Sequence, residues 1–183
     1  MYKTFLLVVG CLFWLTAPTA IGNKKSLTID SSGWVKQSSE VDLNGDLDTG
    51  GESTSHGKST MGPVSSGGMS DLIPWDGVTF CDFDPDSGLP IAVELVYAGT
   101  ASITRFQNGD LLYTVMNPSP PSTLCFNFID STSTFTIYTD VTGGTGGFEG
   151  ATGTAVSTGS AENVVPDHLD AFGITTKVQL NTP

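Results

Sequence analysis

The stretch ASITRFQNGDLLYTVM, residues 101–116, places two alternating apolar and polar runs on either side of Asn108-Gly109. Asn-Gly is typical of a two-residue type I′ turn, because both residues tolerate a positive φ. The stretch therefore predicts an antiparallel hairpin. Its predicted pairs are Gln107 with Asp110, Phe106 with Leu111 and Thr104 with Tyr113.

Further segments of the chain alternate in the same way, and Thr, Ser, Gly and Val favour strands and turns over helices. In 134–141, for example, Phe135, Ile137 and Val141 share one face. The spacing predicts an all-β fold, a single antiparallel β-barrel of about eight strands, with a β-sandwich as the alternative. The predicted strands are 34–43, 78–83, 90–97, 100–107, 110–116, 123–129, 134–141, 151–158 and 173–180.

A glycine-rich run, TGGTGGFEGATGT at 142–154, follows one predicted strand and begins the next. Phe148 is its only large apolar residue, so we expect it to plug into the core. The run resembles the GGTGxFxGAxG signature of the allene oxide cyclase/dirigent-type β-barrels. It is still more similar to TGGTGRFAGATGT in a group of exported bacterial proteins of undescribed function. The matching positions are Gly143, Gly144, Gly146, Phe148, Glu149, Gly150, Ala151 and Gly153.

The resemblance covers about residues 90–158, because the 101–116 hairpin also suits the bacterial group. It implies a barrel in which the glycine motif has a structural role as a turn and strand start. The active-site residues of the cyclases and the substrate-steering residues of the dirigent proteins have no positions that we can assign in this chain. The resemblance therefore bears on the fold and leaves the activity open.

The N-terminal 22 residues have the pattern of a targeting segment. A basic Lys3 precedes twelve uncharged, mainly apolar residues at 4–15, too few to span a bilayer core of about 30 Å, and small residues follow. The pattern predicts a cleaved secretory signal peptide, residues 1–22, with a cut after Gly22 preferred over one after Ala20. An uncleaved anchor and lipidation at Cys11 are the alternatives. The expected location is secreted, periplasmic or otherwise extracellular.

Removal of the signal peptide would leave two cysteines, Cys81 and Cys125. An even pair in an exported protein predicts a disulfide. A reactive thiol or a metal ligand is the alternative, although no histidine lies close in sequence to either cysteine.

The charge balance excludes two classes of partner. The chain has 7 Lys+Arg against 19 Asp+Glu, a net charge of −12. Nucleic acid and anionic membranes both need a basic surface, so neither is expected as a partner. With 38% hydrophobic residues, the chain is also too apolar to be disordered throughout.

One segment differs in composition from the rest. Residues 49–70 are rich in Gly and Ser, which predicts a loop or a weak strand of small residues. No second core-sized segment lies on either side of it, so we expect residues 23–183 to form one domain.

Two acidic runs are candidate calcium ligands. Asp42, Asn44, Asp46 and Asp48 place oxygen side chains at every second position, and 82–86 repeats that spacing. Calcium takes six to eight oxygen ligands, so such runs can wrap one ion. Solvated acidic turns are the alternative for both runs. Calcium is the one cofactor that the sequence raises.

Few residues suit catalysis. The two histidines, His56 and His168, limit imidazole chemistry and exclude a three-histidine zinc site. If the barrel has a usable interior, the candidates to line it are Glu94, Arg105, Tyr113, Tyr138 and Asp140. A surface position is the alternative for Arg105.

These observations favour a non-enzymatic exported barrel that binds a small apolar ligand or an extracellular partner. The first alternative is an isomerase or cyclase similar to allene oxide cyclase, which needs an apolar cavity and few polar groups. The second is an extracellular structural protein stabilised by calcium. The sequence does not indicate an oligomeric state.

Overall fold

The computed structural model describes residues 23–38, 41, 43, 50–72, 79–162 and 169–183. The predicted signal peptide, including Cys11, lies outside these residues. The described chain forms β-strands and one short 3-10 turn, Gly146–Phe148. The strands are β1 (Asn23–Ser38), β2 (Gly50–Ser59), β3 (Gly62–Leu72), β4 (Phe80–Phe83), β5 (Pro90–Phe106), β6 (Leu111–Met116), β7 (Thr123–Asn127), β8 (Thr132–Gly144), β9 (Thr152–Glu162) and β10 (Leu169–Thr182).

These strands belong to one antiparallel sheet that closes on itself. β1 pairs with β2 and β10, and the sheet continues through β3 on one side and through β9 and β8 on the other. β5 joins the two sides, because one of its edges pairs with β3 and β4 and the other with β6 and β7, which both pair with β8. The ten strands occupy eight places around the barrel, which we call wall positions. β3 and β4 share one wall position, and β6 and β7 share another. The predicted eight-stranded barrel is confirmed, and the sandwich alternative is wrong.

The Gly/Ser-rich segment forms the hairpin of β2 and β3 rather than a loop. β2 pairs with β1 along its whole length on one edge and with β3 on the other. The segment has no aromatic residue and few of the β-branched residues that mark a strand in sequence. In the closed barrel, β2 and β3 each form backbone hydrogen bonds with a neighbouring strand on both edges. This pairing, rather than side-chain propensity, holds the segment in the strand conformation.

The segments predicted separately at 90–97 and 100–107 form the single strand β5, which has 17 residues. Opposite this part of β5, the register shifts between Asp71 and Leu72 of β3. Such a bulge bends a strand without ending it. One long strand can therefore serve two partners along each edge.

The 101–116 hairpin is present, but its predicted register is wrong. Phe106 faces Asp110, with its N–H donating to the Asp110 carbonyl at 2.9 Å, and Thr104 pairs with Leu112. The loop therefore has three residues, ending at Gly109 with a φ of 90°, the geometry of a type I turn followed by a glycine bulge. A one-residue change of register moves every side chain of a strand to the opposite face.

A cluster of buried apolar side chains fills one end of the barrel, which we call the floor. Phe148 is only 3% exposed, and its ring centroid lies 4.7 Å from that of Phe106, so the prediction that it plugs the core is confirmed. The floor comprises Leu27, Ile29, Val64, Phe106, Leu112, Val141, Phe148, Ala151, Ala155, Val178 and Leu180.

The glycine motif folds over the floor and docks on the β5–β6 hairpin. The Asp110 carboxylate accepts a hydrogen bond from the Gly147 N–H at 2.9 Å, and Leu111 exchanges two hydrogen bonds with Thr145. Gly146 has a φ of 57°, and a Cβ at this position would overlap the Asp110 carboxylate. The motif has a structural role at this end of the barrel, as expected.

Cys81 of β4 and Cys125 of β7 form a disulfide with their Cα atoms 6.0 Å apart, which confirms the predicted pairing. β4 and β7 lie on opposite edges of the first half of β5. The bond therefore ties together the two short strands that flank β5.

We expect Phe148→Ala to lower the free energy of unfolding by about 3–5 kcal/mol, because it removes a fully buried ring from the floor. Urea unfolding measures the change. Glu149→Ala is the matched control, because Glu149 is the next residue in the chain and its side chain is exposed. We expect it to change the free energy of unfolding by no more than about 0.5 kcal/mol. Equal effects of the two substitutions would contradict the role of Phe148 as the plug.

We expect Cys81→Ser/Cys125→Ser to lower the free energy of unfolding by up to about 4 kcal/mol, because the cross-link spans 44 residues of the unfolded chain. The wild-type protein unfolded in reductant should match the double variant. Unchanged stability of the double variant in the absence of reductant would contradict a stabilising role for this bond.

Candidate functional site

A cavity of about 290 Å³ lies inside the barrel above the floor and is partly open to solvent. Ile29, Leu112, Ala155 and Val178 belong both to the floor and to the cavity lining. Every strand except the short β4 contributes to the lining. The cavity is therefore the interior of the barrel rather than a groove on its surface.

The lining is neutral among the described residues. Of its 31 residues, 13 are Ser or Thr, 13 are apolar, four are Gly and one is Tyr97. No Asp, Glu, Lys, Arg or His side chain of the described part of the chain is among them. The interior thus offers hydroxyl groups and apolar surface, and no counter-charge for an ionised ligand.

The hydroxyls are ordered along the barrel. On each strand that contributes to the floor and runs through the cavity, the next inward residue beyond the floor is a Ser or a Thr. On β2, which adds nothing to the floor, the corresponding buried side chain is Ser55. One hydroxyl thus comes from each of the eight wall positions, and we call this set the hydroxyl ring. Its members are Ser31, Ser55, Ser66, Thr104, Thr114, Thr139, Ser157 and Thr176.

Hydrogen bonds between neighbouring strands hold several of these side chains. The hydroxyl oxygens of Ser66 and Thr104 lie 2.9 Å apart, and those of Ser157 and Thr176 lie 2.8 Å apart. A third pair joins Thr114 of the ring to Ser102 at 2.7 Å. Each hydroxyl has one donor and two acceptor positions, so such a pair uses one O–H and still offers hydrogen-bonding groups to the cavity.

Larger apolar side chains line the cavity farther from the floor. Phe135 and Ile137 precede Thr139 of the ring on β8, and Phe172 and Ile174 precede Thr176 on β10. Tyr97, 8% exposed, adds a phenol here, and burial raises the pKa of its hydroxyl above the ordinary value. At neutral pH that hydroxyl is therefore uncharged.

Arg105 and Tyr113, two of the residues predicted to line the interior, do not contribute to the cavity lining. Arg105 is exposed and follows the inward-facing Thr104. Tyr113 lies between Leu112 and Thr114, which both line the cavity, so it faces outward. The three-residue loop explains the position of Tyr113, because the predicted two-residue turn would have put Tyr113 on the face of Thr104. Arg105 lies on the opposite face from Thr104 with either turn.

The other three predicted lining residues also lie on the outer face. Tyr138 and Asp140 flank the inward Thr139, and the Asp140 carboxylate accepts a hydrogen bond from the Asn117 amide at 2.9 Å. Glu94 pairs with Cys125, next to the inward Leu124. The five candidates were the conspicuous polar residues of the strands, whereas the lining is built from serine and threonine.

One sequence signal could have identified the hydroxyl ring. Between Phe135 and Val141, Thr139 is the one polar residue on the face that also carries Ile137. A hydroxyl on the face that points into the core indicates either a cross-strand hydrogen bond or a polar interior.

The candidate calcium ligands Asp42, Asn44, Asp46 and Asp48 lie outside the described residues, as does His168. The second acidic run forms a tight turn in which the Asp84 carboxylate accepts hydrogen bonds from the Ser87 N–H at 2.6 Å and the Ser87 hydroxyl at 2.7 Å. Residues 23–38, 50–72, 79–162 and 169–183 contain no group of three His, Cys, Asp or Glu arranged to hold a metal. For 82–86 this geometry favours the solvated acidic turn over a calcium site.

Comparisons with protein-family models, with curated proteins and with solved structures find no significant match. The resemblance of the glycine motif to the allene oxide cyclase/dirigent-type barrels therefore stays a prediction. Among the described residues, no helix is long and apolar enough to cross a membrane.

The Asp84 turn generates a prediction about pH. Hydrogen bonds from the Ser87 N–H and hydroxyl hold the pKa of Asp84 below its ordinary value of 3.8. The stabilisation of the turn by the ionised carboxylate is therefore present above pH 3.8 and is lost as the pH falls through the folded-state pKa. Ser87→Ala should raise the Asp84 pKa part of the way back, because the backbone donor remains. Carboxyl-carbon NMR titration measures it, and an unchanged midpoint would contradict the assignment.

Proposed function

We propose that this protein is an exported, non-enzymatic binding protein that holds a small, uncharged, mainly apolar molecule inside its barrel. The observation that carries the proposal is the cavity of about 290 Å³ with no charged side chain among its described lining residues. Small-molecule sites are concave and mainly apolar with a few polar groups, which matches this interior. Buried charges need a partner, so a neutral lining favours a neutral ligand.

The volume limits the size of the ligand. A dry apolar cavity of about 150 Å³ holds one benzene molecule. A cavity of about twice that volume suits a compact molecule of roughly a dozen non-hydrogen atoms. Long acyl chains are a poor fit.

The chemistry of the lining favours binding over catalysis. Acid–base and covalent mechanisms mostly use carboxylate, imidazole, thiol or amine groups. The described lining offers none of these, and its one phenol, Tyr97, keeps its proton at neutral pH.

The Cys81–Cys125 disulfide supports export, because such bonds persist in oxidising compartments. It agrees with the predicted signal peptide at 1–22. A secreted or periplasmic location is part of the proposal.

Filling the cavity should abolish binding. Ala161 lines the cavity far from the floor, and Ala161→Phe puts a ring into that space. Ser160→Phe is the matched control, because Ser160 is the adjacent residue and its side chain is exposed. We expect naphthalene, followed by its own fluorescence, to bind wild type and Ser160→Phe equally and Ala161→Phe at least about tenfold more weakly, the loss of roughly 1.4 kcal/mol.

Two results would contradict the proposal. Wild-type protein that binds no uncharged compound of this size would exclude a ligand-binding interior. Equal binding by the two phenylalanine variants would place the binding site outside the barrel.

A further inference from the structure

We infer, on the basis of the proposed function, that the ligand carries one uncharged oxygen group, an alcohol, ketone or ether, that binds in the hydroxyl ring. Its apolar body lies above the ring, against the large side chains farther from the floor. The inference assigns to the cavity both a ligand class and an orientation.

The ring is the observation that points to an oxygen group. Eight hydroxyls, one from each wall position, line the cavity next to the floor. A wholly apolar ligand beside the ring would displace water from these hydroxyls without replacing the hydrogen bonds that water makes. Leaving buried polar groups without such bonds is costly. A single oxygen can accept from one hydroxyl and, in an alcohol, donate to another.

The layers on either side of the ring give the orientation. Below it the floor is closed by Phe148 and its apolar neighbours. Above it the lining combines the large apolar side chains of Phe135, Phe172 and Ile174 with scattered hydroxyls, which are those of Ser53, Ser70, Thr100, Ser102 and Ser133. Only the ring receives a hydroxyl from every wall position, so the oxygen-bearing end points toward the floor and the hydrocarbon body packs against the large apolar side chains above.

The same lining discriminates against carboxylates. Arg105 is exposed on the outer face, and the described lining residues include no cation to pair with an anion. The net charge of −12 adds a general repulsion of anions. Of two ligands of equal size, the uncharged one should bind.

Four compounds on one carbon skeleton test the class: naphthalene, 2-naphthol, 2-acetylnaphthalene and 2-naphthoate. The last two have the same number of non-hydrogen atoms and differ in charge. By titration calorimetry at neutral pH, 2-naphthol should bind about three- to tenfold more tightly than naphthalene, the effect of one hydrogen bond. 2-Naphthoate should bind on the order of 100-fold more weakly than 2-acetylnaphthalene.

A pair of double variants tests the position. Ser157→Ala/Thr176→Val removes a bonded hydroxyl pair of the ring without leaving either partner unpaired. The control is Thr158→Ala/Thr175→Val, the adjacent pair on the outer face of the same two strands. The ring variant removes two of the eight hydroxyls and should lower the preference for 2-naphthol over naphthalene, and the control should keep it in full. Circular dichroism melting curves confirm that both variants fold.

The outcomes separate the two proposals. If none of the four compounds binds, the proposed function itself is overturned. If naphthalene binds as tightly as 2-naphthol, or 2-naphthoate as tightly as 2-acetylnaphthalene, the interior binds small molecules but the inferred ligand class is wrong. An unchanged preference in the ring variant would overturn the assigned orientation alone.

Discussion

The pairing of β3 with β5 is the interaction on which the rest of the structure depends. Its register runs from Val64 opposite Phe106 to Leu72 opposite Tyr97. The small side chains of β3 add little packing of their own. Pairing with β5 supplies backbone hydrogen bonds to the second edge of β3 and leaves no long unpaired edge there. It also converts an open sheet into a closed wall, and only a closed wall brings inward residues from all strands face to face.

The local alternation of apolar and polar residues is enough to predict most of the strands outside β2 and β3, and the barrel class. The disulfide follows from the even pair of cysteines that remains after the predicted signal peptide. Local alternation is not enough to predict features that depend on distant partners. β2 and β3 have weak strand propensity, and their pairing with β1 and β5 comes from closure. The register of the β5–β6 hairpin depends on one extra loop residue and on the docking of Asp110 against Gly147, which lie far apart in sequence.

The same distinction explains which site residues could be predicted. Glu94, Arg105 and Tyr138 stand out in the sequence because they are large and polar, yet strands expose such residues on their solvent face as a rule. A single serine or threonine in a strand carries little information. The ring becomes visible only when eight strands are placed side by side, because its significance lies in the repetition of one residue type at one level.

The β2–β3 hairpin has a consequence for how such a barrel can diversify. Apart from the floor residue Val64 and Leu72, its inward positions hold serine and glycine, among them Ser55, Ser66 and Gly68, so side-chain bulk there limits how much of the interior stays open. Larger residues there would reduce the capacity of the barrel, and alanine would make the wall less polar. Neither change would touch Phe148, the glycine motif or the disulfide. The side chains that limit the open volume are thus different from those that form the plug, the glycine motif and the disulfide, so the interior can change while those features stay the same.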